Sequence, residues 1–117
     1  MTPTVLVVDD HAGFRAAVRA LLEADDFEVV GEAASGAQAL VCAHRLKPTL
    51  VLLDIRLPDV DGIAVAARLA ELDEPPAVVL VSSRDAAVYG PRLRQAPARG
   101  FVPKSELSGA ALRQLLG

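Results

Sequence analysis

The sequence predicts an α/β fold, a parallel sheet with helices on both faces, and three observations carry that reading. The 117 residues are 52% apolar but only 3% aromatic, an excess of Ala, Val and Leu that suits buried strands and slim helices better than an aromatic-packed β-sandwich. The hydrophobic pattern changes period regularly along the chain, from short β-branched runs to longer stretches with helical spacing. The strand-like runs are continuous instead of alternating, as strands covered on both faces require.

Thr4 to Val8 is the first such run and ends at Asp9-Asp10, after which Phe14, Val18, Leu21 and Leu22 fall on one face of a helix. Phe27 to Ala33 reads as the second strand, followed by a helix with Ser35 as its cap and Leu40, Val41 and His44 along one side. Leu50 to Leu53 is a continuous run stopped by Asp54. The turn-rich stretch from Pro58 to Gly62 then leads into an Ala-rich helix from Ile63 to Leu72. Pro75-Pro76 breaks that helix, and Ala77 to Val81 is the fourth strand. Gly90, Pro91 and Pro97 fall between Asp85 and Arg99, so the helix there is expected to be short, kinked or late-starting. Gly100 to Val102 is a short fifth strand, and Ser105 is expected to cap a last helix carrying Leu112, Leu115 and Leu116. Right-handed crossovers between these units give a doubly wound, flavodoxin-like sheet of order 2-1-3-4-5, with one domain expected over residues 1–117 and no second domain in this chain.

Charge narrows the function. The net charge is -3, and Lys47 and Lys104 are the only lysines, so the basic footprint of direct nucleic-acid binding is missing. No apolar run approaches the roughly 18 residues of a membrane span, and Met1 to Thr4 lacks the basic start of a signal peptide, so the chain is expected in the cytoplasm, off the membrane. Cys42 is alone, which excludes an internal disulfide framework and a multi-thiolate metal site.

In doubly wound sheets ligands bind beyond the carboxyl ends of the strands, so the residues there are the ones to weigh. Strand one ends in Asp9-Asp10, strand three in Asp54 and strand four in Ser82-Ser83, while Lys104 follows strand five. Taken singly, each has an ordinary structural role as a cap, a turn residue or a solvated charge. Together they are harder to ascribe to turns. At ~5 Å and an effective dielectric of ~20, each pair of ionised carboxylates repels by about 3 kcal/mol, so three of them call for a cation or a proton. Oxygen-only ligands point to Mg²⁺ rather than zinc, and Mg²⁺ favours sites that combine one or two carboxylates with a phosphate.

These residues stand in four blocks: Val7-Val8-Asp9-Asp10-His11, the stretch from Leu53-Asp54-Ile55-Arg56 to Asp61-Gly62, Val81-Ser82-Ser83, and Gly100-Phe101-Val102-Pro103-Lys104-Ser105. Appearing in this order, they make the whole chain resemble the receiver domain of two-component response regulators. Asp-Asp-His, Val30-Gly31-Glu32-Ala33 and the Gly-Phe-x-x-Lys ending are most similar to the NarL-type subfamily, whose members usually carry a LuxR-type helix-turn-helix after the receiver. The resemblance implies that Asp54 accepts a phosphoryl group from a histidine kinase. It implies Asp10 as a direct Mg²⁺ ligand together with Asp54 and the backbone carbonyl of Arg56, with Asp9 acting through water. Lys104 would pair with Asp54 and then with a phosphoryl oxygen, Ser82 would bond another such oxygen on activation, and Phe101 stands at the position of a switch aromatic. Partners implied are the cognate kinase and an output protein or a second copy of the chain.

Pro103 before the lysine, Ser105 after it, and Pro91 and Pro97 in the fourth helix region depart from the family pattern and bear on the switch more than on the phosphorylation site. His11 and His44 read as solvated helix residues, and Arg84, Arg92, Arg94 and Arg99 as a solvated rim. Two rival readings are weaker. A small Mg²⁺-dependent phosphohydrolase with an aspartyl nucleophile would carry a second aspartate where Arg56 stands. A flavin-binding module would need a Gly- or Ser/Thr-rich cradle where Asp9-Asp10-His11 is acidic.

Overall fold

The computed structural model describes residues 2–117. Five strands, β1 (Thr4–Val8), β2 (Glu28–Ala33), β3 (Leu50–Asp54), β4 (Ala77–Ser82) and β5 (Gly100–Pro103), form one sheet of order β2-β1-β3-β4-β5. All neighbouring pairs are parallel, so every strand ends at the same edge. Five helices complete the fold: α1 (Ala12–Glu23), α2 (Gly36–Leu46), α3 (Gly62–Leu69), α4 (Pro91–Gln95) and α5 (Gly109–Leu116). None of these helices is long and apolar enough to cross a membrane.

Successive strand residues point to opposite faces, and each face builds its own core. Leu6, Val8, Val51, Leu53 and Leu80 pack on one side with Ala39, Ala43, Val65 and Leu69 of α2 and α3. Val5, Val7, Leu50, Leu52, Val79 and Val81 pack on the other with Val18, Leu22 and Leu112 of α1 and α5. The continuous apolar runs are thus explained by burial on both faces.

Four local expectations are corrected or refined. The buried residues of α2 are Gly36, Ala39 and Ala43, while Val41 is 65% exposed, because small side chains let this helix lie close to the sheet. Helix α3 ends at Leu69, short of the expected Leu72: Glu71, Asp73 and Glu74 would oppose the negative end of its dipole, and Pro75 forces the preceding residue out of helical geometry. Ser105 lies in a single 3₁₀ turn over Lys104–Glu106, and α5 is capped instead by Ser108, whose hydroxyl accepts the Ala111 N–H at 3.0 Å. The fourth helix is short and late, as Gly90 and the two prolines require: a 3₁₀ turn over Ala86–Val88 precedes α4, with Gly90 between them at φ 60°.

The loop from β3 to α3 is folded tightly against the end of β3. Its Asp59 accepts the Gly36 and Ala37 N–H groups at 2.8 and 3.0 Å, which ties it to the start of α2 and holds the Asp59 carboxyl below the usual carboxylate range. Asp61 caps α3 by accepting the Ile63 N–H at 2.7 Å. Gly62 donates to the Ile55 carbonyl at 2.7 Å, and a Cβ there would stand 2.2 Å from the Asp54 carbonyl oxygen and 2.7 Å from the Ile55 Cα. Both obstacles are backbone and cannot rotate away. Gly62→Ala should therefore lower unfolding free energy by about 1–3 kcal/mol in a denaturant melt. Gly13→Ala, where a methyl group meets nothing within 4 Å on the helical surface of α1, should be neutral or slightly stabilising. Equal losses at the two positions would refute the close-approach argument.

Candidate functional site: an acidic pocket at the carboxyl edge

Because the strands run parallel, the polar residues at their ends meet at one edge, where Asp10, Asp54, Arg56, Ser82, Ser83 and Lys104 line a cavity of about 380 Å³. Asp9 lies directly beneath it, fully buried, held by its N–H to the Ala33 carbonyl at 3.0 Å. Arg15 of α1 donates to the Asp9 carbonyl at 2.6 Å, which clamps the same turn from the other side.

Two buried carboxylates share one ammonium. Lys104 Nζ lies 2.5 Å from Asp9 Oδ2 and 3.3 Å from Asp54 Oδ2. Its charge also sits 4.2 Å from the centre of the Phe14 ring, a cation–π contact that fixes the lysine from the α1 side. Asp9 Oδ1 accepts the His11 N–H at 2.8 Å, and Asp54 Oδ1 accepts the Arg56 N–H at 3.2 Å. The two carboxyls respond differently. Burial pushes the Asp9 carboxyl up, but the Lys104 ammonium and the His11 N–H outweigh it and hold the group below the usual range. Burial wins at Asp54, helped by the negative charge of Asp9, and its carboxyl is raised despite the Arg56 N–H and Lys104. Lys104 itself loses solvation by burial, yet the two carboxylates raise it above its ordinary value.

The pocket has more negative charge than Lys104 can match. Asp10 is exposed at the rim, and ligand atoms of Asp9, Asp10, His11 and Asp54 all lie within 4.8 Å of one another. Asp9 Oδ2 is buried, and the Lys104 ammonium at 2.5 Å is its ion-pair partner. Three carboxylates gathered around a single lysine are a donor set suited to a hard divalent cation with a mainly oxygen shell, such as Mg²⁺.

Asp9, Asp10, Asp54, Arg56, Ser82 and Lys104 are therefore brought to one edge, whereas Phe101 lies outside the pocket. Ser82 is 1% exposed, and its Oγ accepts the Arg84 N–H at 3.0 Å. Phe101 is half-buried on β5 and packs against the core that α2 and α3 cover. Two participants were not expected. His11 is solvated as expected, its side chain 72% exposed, yet it places Nδ1 3.2 Å from Asp9 Oδ1 and 3.0 Å from Asp10 Oδ1. Tyr89 places its hydroxyl 2.6 Å from Ser82 Oγ and its ring centre 6.4 Å from that of Phe101. The signal that could have found it is its rarity, as the only tyrosine of the chain. Among the rim arginines, Arg92 is paired with Asp61 across the mouth of the β3–α3 loop.

Comparisons with known proteins identify the family. The family described as the response regulator receiver domain matches residues 5–116. A Pseudomonas aeruginosa protein named as a transcriptional regulator is 47% identical over 102 residues, covering 87% of this chain and 49% of that protein. The Escherichia coli DNA-binding transcriptional activator EvgA is 35% identical over 101 residues, covering 86% of this chain and 50% of its own. The chain thus spans about half the length of the curated relatives it matches. Among solved structures, the signal receiver domain of a Mycobacterium tuberculosis protein named NarL superposes with a TM-score of 0.85 at 37% identity, covering 99% of this chain and 98% of the other. With the five-stranded parallel sheet, the acidic edge and a family match over nearly the full chain, this protein belongs to the response regulator receiver domain family.

Proposed function

We propose that Asp54 is the phosphoacceptor of this receiver domain and that a histidine kinase in the cytoplasm is its donor. The observation that carries this reading is the position of the Asp54 carboxylate at the pocket, joined through the Lys104 ammonium to a fully buried Asp9. A carboxylate oxygen of Asp54 forms a bond to phosphorus as the P–N bond of the phosphohistidine breaks and its electron pair returns to the imidazole. The Arg56 N–H and Lys104 favour the ionised carboxylate that this attack requires. Lys104 is then in reach of a phosphoryl oxygen, where its charge opposes the negative charge of the transferred group. Asp10 and Asp54, with the Arg56 carbonyl, would hold Mg²⁺ directly and Asp9 through water; when bound, the ion supplies charge neutralisation to the phosphoryl oxygens. Ser83 is small and exposed, which leaves room for the donor imidazole.

The resulting acyl phosphate acts as a switch, because a conformer in which Ser82 reaches the phosphoryl group gains a hydrogen bond the other lacks. Its output, through a protein partner or a second copy of the chain, fits relatives named as transcription regulators.

Incubation with acetyl phosphate and Mg²⁺ should yield one hydroxylamine-sensitive phosphoryl adduct in the wild type and none in Asp54→Asn; an undiminished adduct in the variant would move the acceptor elsewhere. In thermal melts, Asp10→Ala should lose most of the Mg²⁺-induced rise in Tm while the metal-free Tm holds or rises, since a rim carboxylate that repels Asp9 and Asp54 has been removed. A full Mg²⁺ shift in this variant would show that Asp10 is not a ligand.

Arg56 and Arg84 line one groove that opens beside the pocket. Guanidinium groups there can pair with phosphoryl oxygens and obstruct water, so the Arg56→Ala, Arg84→Ala double variant should lose phosphate about three- to tenfold faster once donor is removed, equivalent to about 1 kcal/mol of barrier. Decay no faster than wild type would dismiss the shield.

A further inference from the structure

We propose that Tyr89 is a positioning residue for Ser82, holding its hydroxyl away from the phosphoryl site until the acyl phosphate forms. The inference rests on the assignment of Asp54 as phosphoacceptor and concerns a residue outside the catalytic pocket.

Ser82 has a single hydroxyl, with one proton to give and two lone pairs to offer. One lone pair takes the Arg84 N–H at 3.0 Å, and the Tyr89 hydroxyl stands at 2.6 Å, at the short end of the O–H···O range. Either oxygen can donate in that second bond. If Ser82 donates, its only proton is directed at the phenol and none is left for a phosphoryl oxygen. If Tyr89 donates, both lone pairs of Ser82 are taken and its oxygen is fixed from two sides. In the first arrangement Ser82 must give up the phenol to donate to a phosphoryl oxygen; in the second its proton is free, and the phenol is given up as the Ser82 oxygen is drawn inward from the position the two bonds fix. Tyr89 therefore competes with the phosphoryl group for the same side chain.

The surroundings of Tyr89 make this competition consequential. Its half-buried ring packs against the core and lies tilted by 56° against Phe101. It sits at the joint between the 3₁₀ turn over Ala86–Val88 and α4, immediately before Gly90 in the left-handed region. No residue of α4 is fully buried. The ring is thus one of few anchors on a weakly packed segment, and loss of its hydroxyl partner frees it to move against Phe101 and β5. The β5 aromatic carries no hydroxyl and cannot make this bond itself. The link from Ser82 to the α4–β5 edge runs through a residue on the intervening loop.

Tyr89 is also the only tyrosine in a chain without tryptophan, so tyrosine fluorescence and absorbance report on it alone. The experiment titrates beryllofluoride with Mg²⁺, a mimic of the aspartyl phosphate, into the chain, with calorimetry reading affinity in every variant, since Tyr89→Phe removes the tyrosine, and the tyrosine signal followed in the wild type. In the wild type, the tyrosine signal should change on binding. Tyr89→Phe keeps the ring and removes only the hydroxyl, so it should fold and bind beryllofluoride about three- to tenfold more tightly, as the loss of one competing hydrogen bond predicts. In a Ser82→Ala background the same substitution should leave affinity unchanged, because the two hydroxyls act as a pair. A purely structural role would instead weaken binding in Tyr89→Phe or show the same effect with and without Ser82. Binding with an unmoved tyrosine signal and unchanged affinity in Tyr89→Phe overturns the proposal while leaving Asp54 as acceptor. No binding to the wild type removes the acceptor assignment and this proposal with it.

Discussion

The ammonium of Lys104, set 2.5 Å from one buried carboxylate and 3.3 Å from another, is the contact on which the arrangement of the pocket depends. Asp9 and Asp54 end adjacent parallel strands and could not both stay ionised in a buried edge without a counter-charge. Unpairing a buried charge of this kind costs about 3–5 kcal/mol, a large part of the stability of a domain this size. The lysine arrives from the far side of the site, one residue beyond β5, and the Phe14 ring steadies it from α1. Elements distant in sequence are held together by one cation. The asymmetry between the two acids follows: Asp9 is fully buried and held ionised, whereas burial prevails at Asp54, the group at the pocket surface.

Much of this was legible in the sequence because the relevant signals are local. A continuous Val/Leu run such as Leu50 to Leu53 means burial on both faces, and a carboxylate at its end means an edge, so Asp9, Asp10, Asp54, Ser82 and Lys104 could be gathered without coordinates. What escaped was set by competition between neighbours. Two serines three residues apart, Ser105 and Ser108, could each cap α5, and the choice was decided by the 3₁₀ turn that the chain makes on leaving Lys104. On α2 the larger Leu40 and Val41 suggested a face, but close packing against the sheet selected Gly36, Ala39 and Ala43. Tyr89 was invisible for a different reason. Its partner lies seven residues away across an irregular loop, where neither helical nor strand periodicity says which side chains meet.

The sheet is not packed evenly. β1, β3 and β4 are buried along nearly their whole length, and the two helices on each side of them contribute fully buried residues. The edge formed by α4 and β5 is thinner: α4 buries nothing completely, and β5 buries only Val102. Local opening is least costly where apolar contacts are fewest, so motion is concentrated at that edge.

This unevenness divides the pocket into a fixed part and a movable part. Asp9 and Asp54 belong to the central strands, and the loop after β3 is pinned by Gly62 and by the bonds of Asp59 to α2, so the carboxylates keep their spacing. Ser82 also ends a buried strand, but its hydroxyl is bound to Tyr89 on the thin edge. A change in what Ser82 bonds to is therefore transmitted toward α4 and β5 and not toward β1 and β3, because only the former can yield at low cost. Precise placement of charge and a mobile outer surface make opposing demands on packing, and here they are met on opposite sides of β4.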